Sequence, residues 1–124
     1  MRGWWRPENT GTATPSISLG YDTSETDATG NSNTTAYFVG LNWQDMVSAD
    51  DRIGIAGGST LAIDTHVLGA SDLEEMDPFL WEASYSFKVN DSMTIIPAIF
   101  GGQDIVSYTD EDYAGAALTT KFKF

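Results

Sequence analysis

The chain has 124 residues, of which 41% are hydrophobic and 12% aromatic, and its formal net charge is −12 at pH 7. That length fits one domain or part of one, and that composition argues against disorder. The acidic balance argues against nucleic acid and anionic lipid head groups as partners, because both attract an excess of Lys and Arg.

Two further absences narrow the protein class. No apolar run approaches the roughly 18 residues of a membrane-spanning helix, so any passage through a bilayer must use strands. Cysteine is absent, which excludes disulfides, thiolate zinc sites and a thiol nucleophile. The opening MRGWWRPENTG lacks the charged, apolar and small-residue regions of a secretory signal. We expect either an export signal outside this sequence or a fragment of a longer protein.

Period-2 alternation predicts three strands in the first half of the chain, at residues 12–23, 34–44 and 52–59. The third is short and rich in glycine. In each strand the apolar side chains share one face: Ile17, Leu19 and Tyr21 in the first, Tyr37, Val39, Leu41 and Trp43 in the second, and Ile53 and Ile55 in the third.

Three more strands are predicted at residues 78–89, 93–102 and 114–124. The strand at 78–89 alternates most clearly, and its twelve residues suffice to cross a hydrocarbon core, which takes about 9 to 11 tilted residues. The strand at 93–102 is weaker, because Ile96 and Phe100 break the alternation. Pro97 also removes a hydrogen-bond donor from it.

The tail places its apolar residues and Thr120 on one face and Lys121 and Lys123 on the other. A strand that alternates in this way and stops on an aromatic, here Phe124, is typical of the last strand of a transmembrane β-barrel. A half-buried strand of a soluble sheet has the same period, so the tail alone leaves both interpretations open.

The predicted links alternate in length. Residues 44–51 and the hairpin turn at 90–92 are short, whereas the polar links at 22–33, 60–77 and 103–113 are long. Outer-membrane barrels have short periplasmic turns and long external loops. The pattern therefore predicts such a barrel, with the C-terminus on the short-turn, periplasmic side.

The charged residues also divide between the long links and the short-turn end. Most acids fall in the three long links: Asp22, Glu25, Asp27, Asp64, Asp72, Glu74, Glu75, Asp77, Asp104, Asp110, Glu111 and Asp112. Arg52, Lys88, Lys121 and Lys123 lie near the short-turn end. Two interpretations of the acids remain equally open. They are simply solvated loop residues, or they form an acidic vestibule above a lumen with inward-facing bases.

The strand phases divide the side chains into two sets. The polar phase of the two clearest strands supplies candidates for lining a pore: Glu82, Ser84, Ser86, Lys88, Thr119, Lys121 and Lys123. The apolar phase supplies candidates for lipid-facing or girdle residues: Tyr21, Tyr37, Trp43, Phe79, Trp81, Tyr85, Phe87 and Phe122. In a soluble β-sandwich the same aromatics would form the core.

Catalytic and metal chemistry find little support, and we expect no enzyme activity, cofactor or metal. The acids Glu74 and Glu75 lie on no framework that would fix a glycosidase separation, and an EF-hand pattern is absent. His66, the single histidine, has no nucleophile motif nearby.

Three segments together resemble the C-terminal part of cyanobacterial outer-membrane porins, the OprB-type carbohydrate-selective or iron-uptake group: TPSISLGYDTS, TTAYFVGLNWQDM with ADDRIGIAGG, and DPFLWEASYSFKVNDSMTIIPAIF with the TTKFKF end. The resemblance implies a large antiparallel barrel that forms homotrimers among membrane lipid and lipopolysaccharide. It also implies that Phe124 is part of the signal read by the barrel-assembly machinery. Complete members carry an export signal and an S-layer homology domain, which this sequence lacks.

The sequence thus predicts an all-β antiparallel meander of about six transmembrane strands, with residues 1–124 forming the C-terminal part of a porin barrel and no second domain. The expected function is passive diffusion of small hydrophilic solutes, sugars and ions, across the outer membrane, with no nucleic acid partner. Two alternatives remain: a soluble antiparallel β-sheet carbohydrate-binding module, and a structural or adhesive surface protein.

Overall fold

The computed structural model describes residues 1–26, 32–65, 78–103 and 112–124, and the side chains of these except 25–26, 32–33 and 60–65. Throughout these ranges the regular elements are strands of one antiparallel sheet, ordered as in the chain. The strands are β1 (Arg2–Trp5), β2 (Ser16–Thr26), β3 (Ser32–Gln44), β4 (Arg52–Thr65), β5 (Phe79–Asn90), β6 (Met93–Gln103) and β7 (Tyr113–Phe122). The described residues include no helix that is long and apolar enough to cross a bilayer.

The all-β antiparallel meander is confirmed, but the expected number of six strands is wrong, because the sheet has seven. The missed strand, β1, pairs with β2 from Arg2 opposite Gly20 to Trp5 opposite Ile17. It is too short to show a period in the sequence. The strand predicted at 52–59 is also longer than expected and continues to Thr65, past the glycines that interrupt its apolar pattern.

The predicted contrast between short and long links holds only in part. β2 and β3 pair as far as Thr26 opposite Ser32, so most of the predicted long link at 22–33 is strand. The rim that carries the turns at 45–51 and 91–92 also carries the longer link 6–15. The hairpin turn predicted at 90–92 is confirmed, although Asn90 still belongs to β5 and only residues 91 and 92 lie between the strands; the Ser92 amide donates to Asn90 Oδ1 at 2.9 Å. The C-terminus lies on this rim, where the Lys123 amide donates to the Ser92 carbonyl.

The register gives the sheet two chemically different faces. We call apolar face the one that carries the cross-strand row Ile17, Leu41, Ile55, Ala83, Ile99 and Ala116. We call polar face the opposite one, whose neighbouring row is Ser16, Asn42, Gly54, Ser84, Ala98 and Ala117. Cross-strand partners share a face, so the alternation in each strand adds up to a property of the whole sheet.

The described residues form a single layer without a hydrophobic core. No hydrophobic residue among them is buried, and Leu118 and Phe122 on the apolar face are 71% and 61% exposed. A sheet ordinarily buries its apolar face against a second layer of structure. The described part of this chain provides no second layer, so the stability of the sheet depends on what its apolar face contacts.

Candidate functional site

The apolar face has an aliphatic centre between two aromatic rows. Tyr21, Tyr37 and Phe79 lie toward one rim, where Tyr21 is paired with Tyr37. Trp43, Tyr85, Phe87 and Phe122 lie toward the rim with the 45–51 turn. Phe79 and Phe87 are eight positions apart in β5, which corresponds to roughly 26 Å of strand at about 3.3 Å per residue. At the strand tilt of about 35 to 45° in outer-membrane barrels, this length would span about 18 to 21 Å along the bilayer normal, somewhat less than the apolar band of about 25 Å between their aromatic girdles.

All eight residues predicted as lipid-facing therefore share one face, as their phase required. Trp81 belongs to the same face and lies against Gly101, where an added Cβ would be 2.7 Å from the indole ring. The Trp43 indole donates a hydrogen bond to the Ala13 carbonyl at 2.9 Å, and the rings of Tyr85 and Phe87 stack at 5.4 Å. Large rings with one polar atom suit the boundary between an apolar region and water.

The 45–51 turn is organised around the carboxylate of Asp51, which is 0% exposed. The backbone amides of Met46, Val47 and Ser48 donate to it at 2.9 to 3.0 Å. The Tyr85 hydroxyl donates to the same group at 3.0 Å. The turn is therefore attached to β5 through Tyr85, one of the predicted girdle residues, a contact that could not be read from the sequence.

Local backbone geometry and electrostatics both favour this turn. Asp45 and Asp50 adopt positive φ angles of 57° and 65°, a conformation that Asp tolerates better than most residues. Burial by itself raises the pKa of Asp51, but the hydrogen bonds from the backbone amides and from Tyr85 outweigh it and hold that pKa below its usual value.

The predicted pore-lining residues lie on the polar face as far as β5 and β7 extend. In β5 these are Glu82, Ser84, Ser86 and Lys88, and in β7 they are Thr119 and Lys121. Lys123 follows the end of β7. Phe124, the predicted assembly signal, also lies beyond the strand and is exposed.

The structure brings three of the bases together at the turn end of the polar face. Thr94 is paired with Lys88 on one side and with Lys121 on the other. Arg52 is paired with Ser86, the preceding residue of that face in β5. Lys88 is partly neutralised, because its ammonium contacts Asp50 at 2.8 Å. Lys121 makes no ion pair with a described residue, so it is the better candidate for acting on ions near this face.

The other end of the polar face forms a hollow of about 600 Å³, lined by residues from β1 to β7. Glycines allow aromatic rings to lie against its floor. A Cβ added to Gly20 would be 2.0 Å from the Phe38 ring, and a Cβ added to Gly115 would be 2.7 Å from the Phe100 ring. In the sequence Phe100 had only marked a break in the alternation, and neither Phe38 nor Phe100 had been assigned to a site.

The acids of the predicted vestibule are only partly placed. Asp22 and Glu25 belong to β2 and Asp64 to β4, not to loops. Asp112 precedes β7. The other acids of that set lie outside the described residues, as does His66. Among the residues described, no three His, Cys, Asp or Glu side chains are grouped so that they could hold a metal ion.

Comparison with known protein families, with curated proteins and with solved structures found no match.

Proposed function

We propose that this chain is the C-terminal segment of an outer-membrane porin and contributes seven strands to a water-filled barrel for small hydrophilic solutes. The observation that carries the proposal is the apolar face, which runs across all seven strands with no buried hydrophobic residue beneath it in the described part. Exposed apolar surface on this scale marks a membrane or partner surface. Hydrocarbon would supply the missing cover, and the aromatic rows lie toward the two ends of the strands, where its interfaces would be.

The polar face supports the second half of the proposal. Its central row contains only Ser, Asn, Gly and Ala, and these small side chains leave room for water, whereas the next row carries Glu82 and Phe100. Arg52, Lys88 and Lys121 place positive charge at the rim that would be periplasmic. Solutes would then be selected by lumen width and by the local charge that they meet.

The sheet has two unpaired edges, β1 and β7, and an open edge inside hydrocarbon leaves backbone groups without partners. In the proposed barrel, strands of the same longer chain cover both edges. A homotrimer, assembly through the machinery that reads Phe124, lipopolysaccharide around the outer leaflet and a periplasmic C-terminus all belong to this proposal.

The soluble-module alternative has less support. A soluble sheet that bound sugars through its aromatics would bury one face in a core, whereas both faces of the described sheet carry exposed side chains. The structural or adhesive alternative has no feature of its own in the described residues that favours it over a porin.

Tryptophan quenching by lipids with brominated acyl chains tests the assignment of faces. Trp81 lies on the apolar face, and Trp4 lies on the polar face, where it is paired with Ser18. Two single-tryptophan variants, with the other indoles replaced by Phe, are refolded into liposomes. We expect strong quenching of Trp81 and weak quenching of Trp4.

The matched control is the same pair of variants in liposomes of unbrominated lipid, which corrects for different quantum yields. Equal quenching of both tryptophans in protein that floats with the liposomes contradicts the proposed assignment of faces, and recovery of the protein as a soluble monomer in the aqueous fraction contradicts the proposed membrane location. Quenching of Trp4 alone would show that the two faces have been assigned the wrong way round.

A further inference from the structure

We propose that the hollow on the polar face binds an organic cation of the alkylated-ammonium class in a corner formed by Phe100, Tyr113 and Glu82. The inference rests on the proposed function only in requiring that the polar face is accessible to water. The hollow's volume of about 600 Å³ lies within the usual range of small-molecule sites, about 300 to 1,000 Å³.

The register of β5, β6 and β7 places four side chains of the polar face at neighbouring positions: Leu80, Glu82, Phe100 and Tyr113. Glu82 is paired with Phe100 across β5 and β6, and Leu80 precedes Glu82 on the same face. Tyr113 in β7 and Leu80 in β5 are both paired with Gly102, so the glycine separates them. The centroids of the Phe100 and Tyr113 rings are 6.5 Å apart with an interplanar angle of 59°. Both residues line the hollow, and we take the two tilted rings as the walls of the corner.

The floor of the corner fixes the position of Phe100. Gly115 lies so close beneath its ring that an added Cβ would be 2.7 Å away. The ring is thus held against β7, and its other side is directed toward the hollow, which it lines. Because the ring is already ordered, a ligand stacked on it costs little side-chain entropy.

The charges in the hollow favour a cation at this corner. Glu82 is exposed and has no ion-pair partner among the described residues. The other charged side chains of the lining, Arg2 and Asp22, belong to β1 and β2. Arg2 is four strands from Glu82, which is roughly 19 Å along a sheet with strands about 4.8 Å apart. Among the charged side chains that line the hollow, the Glu82 carboxylate is therefore the one nearest to Phe100 by register.

The chemistry of the corner selects the ligand class. Aromatic faces attract cations through the negative charge of the ring face, and methylated ammonium groups are the ligands that aromatic corners recognise. A sugar would need several hydrogen-bonding groups around its ring, whereas the neighbours here are Leu80, Gly101 and Gly102 beside one carboxylate. An ammonium with an apolar body matches both the rings and the charge.

Choline and its uncharged isostere 3,3-dimethylbutanol are probes that test this inference, with glucose as the sugar probe. The 124-residue chain is held in polyoxyethylene micelles, which carry neither choline nor sugar, and binding is measured by ligand-observed NMR. We expect choline to bind about fivefold or more tightly than 3,3-dimethylbutanol. Glu82→Gln and Phe100→Leu should each weaken choline binding about two- to fivefold.

Glu8→Gln is the matched control, because it removes an exposed carboxylate in the 6–15 link, outside the hollow, and should leave choline binding unchanged. Equal affinity for choline and 3,3-dimethylbutanol, no effect of Glu82→Gln, or no binding at all overturns the inference. Tighter binding of glucose than of choline also overturns it and makes the hollow a sugar site. These outcomes are read in micelles, so they are separable from the bilayer quenching that tests the proposed function.

Discussion

Replacing Ala83 by Arg should greatly reduce membrane insertion, whereas replacing Ser84 by Arg should be tolerated. These residues are adjacent, similar in size and both half-buried, and the register places them on opposite faces. Ala83 lies midway between Phe79 and Phe87, roughly 13 Å of strand from each at about 3.3 Å per residue. In the proposed orientation this is the bilayer midplane.

The expected cost of Ala83→Arg follows from that position. An Arg on the lipid face at the midplane of a barrel costs about 2 to 4 kcal/mol. Since about 1.4 kcal/mol is a factor of ten in an equilibrium constant, the insertion equilibrium should fall about 30- to 1,000-fold. Tyr85 is a poorer site for this substitution, because its hydroxyl also bonds Asp51 in the turn.

The assay dilutes each urea-unfolded variant into liposomes and measures the inserted fraction by flotation and by protection from protease. Unchanged folding of both variants in detergent shows whether a loss is specific to the bilayer. Equal insertion of the two variants refutes the assignment of the apolar face to lipid. Selective loss for Ser84→Arg would show that the polar face meets the lipid instead.

Three further predictions concern charge, the turn and the sheet edges. In an assembled channel that contains this segment, changing Lys121 and Lys123 together to Glu should raise the preference for cations. The effect should shrink at 1 M salt, where the Debye length is about 3 Å. Reversal potentials that stay unchanged at low salt would show that these lysines do not line the lumen. The lowered pKa of Asp51 means that its contribution is present above the ordinary carboxyl value of 3.8 and is lost as pH falls through the still lower folded value. The protection factors of the Met46 and Ser48 amides, which correct for the intrinsic pH dependence of amide exchange, should therefore be high at pH 6 and fall as the pH drops below 3.8, and Asp51→Asn should remove this fall while Asp50→Asn should not. Finally, the isolated chain should show no discrete single-channel conductance and should aggregate or form multimers through its edges, because single-chain barrels begin at about eight strands; reproducible unitary conductance from a demonstrated monomer would contradict this.

The sequence was most informative where alternation was unbroken. The phase of β5 was readable because every odd position from Phe79 to Val89 is apolar or aromatic, and a residue's face depends only on its parity within a strand. The hairpin at 91–92 was readable because Asn and Asp favour tight turns. From these features followed the fold class and the division of the predicted site residues into two sets.

Other elements needed the tertiary structure because their signals are not local. β1 has four residues and is defined only by its pairing with β2. Gly57 and Gly58 end the apolar pattern midway along β4, and the second half is a strand because β3 supplies the paired backbone. In the sequence, Asp51 is one of several acids in a turn. Only the structure shows that the hydroxyl of Tyr85, 34 positions away, donates a hydrogen bond to it.

The sequence by itself determined that the chain forms amphipathic strands, since parity along each strand is a local property. Only the tertiary structure decided that these strands share one register, so that seven separate alternations become one apolar face and one polar face. It also placed Phe100, which had appeared to break the alternation, beside Glu82 and Tyr113 in the hollow. Register is set by hydrogen bonds between strands distant in sequence, and this is the physical reason why the local pattern alone did not contain it.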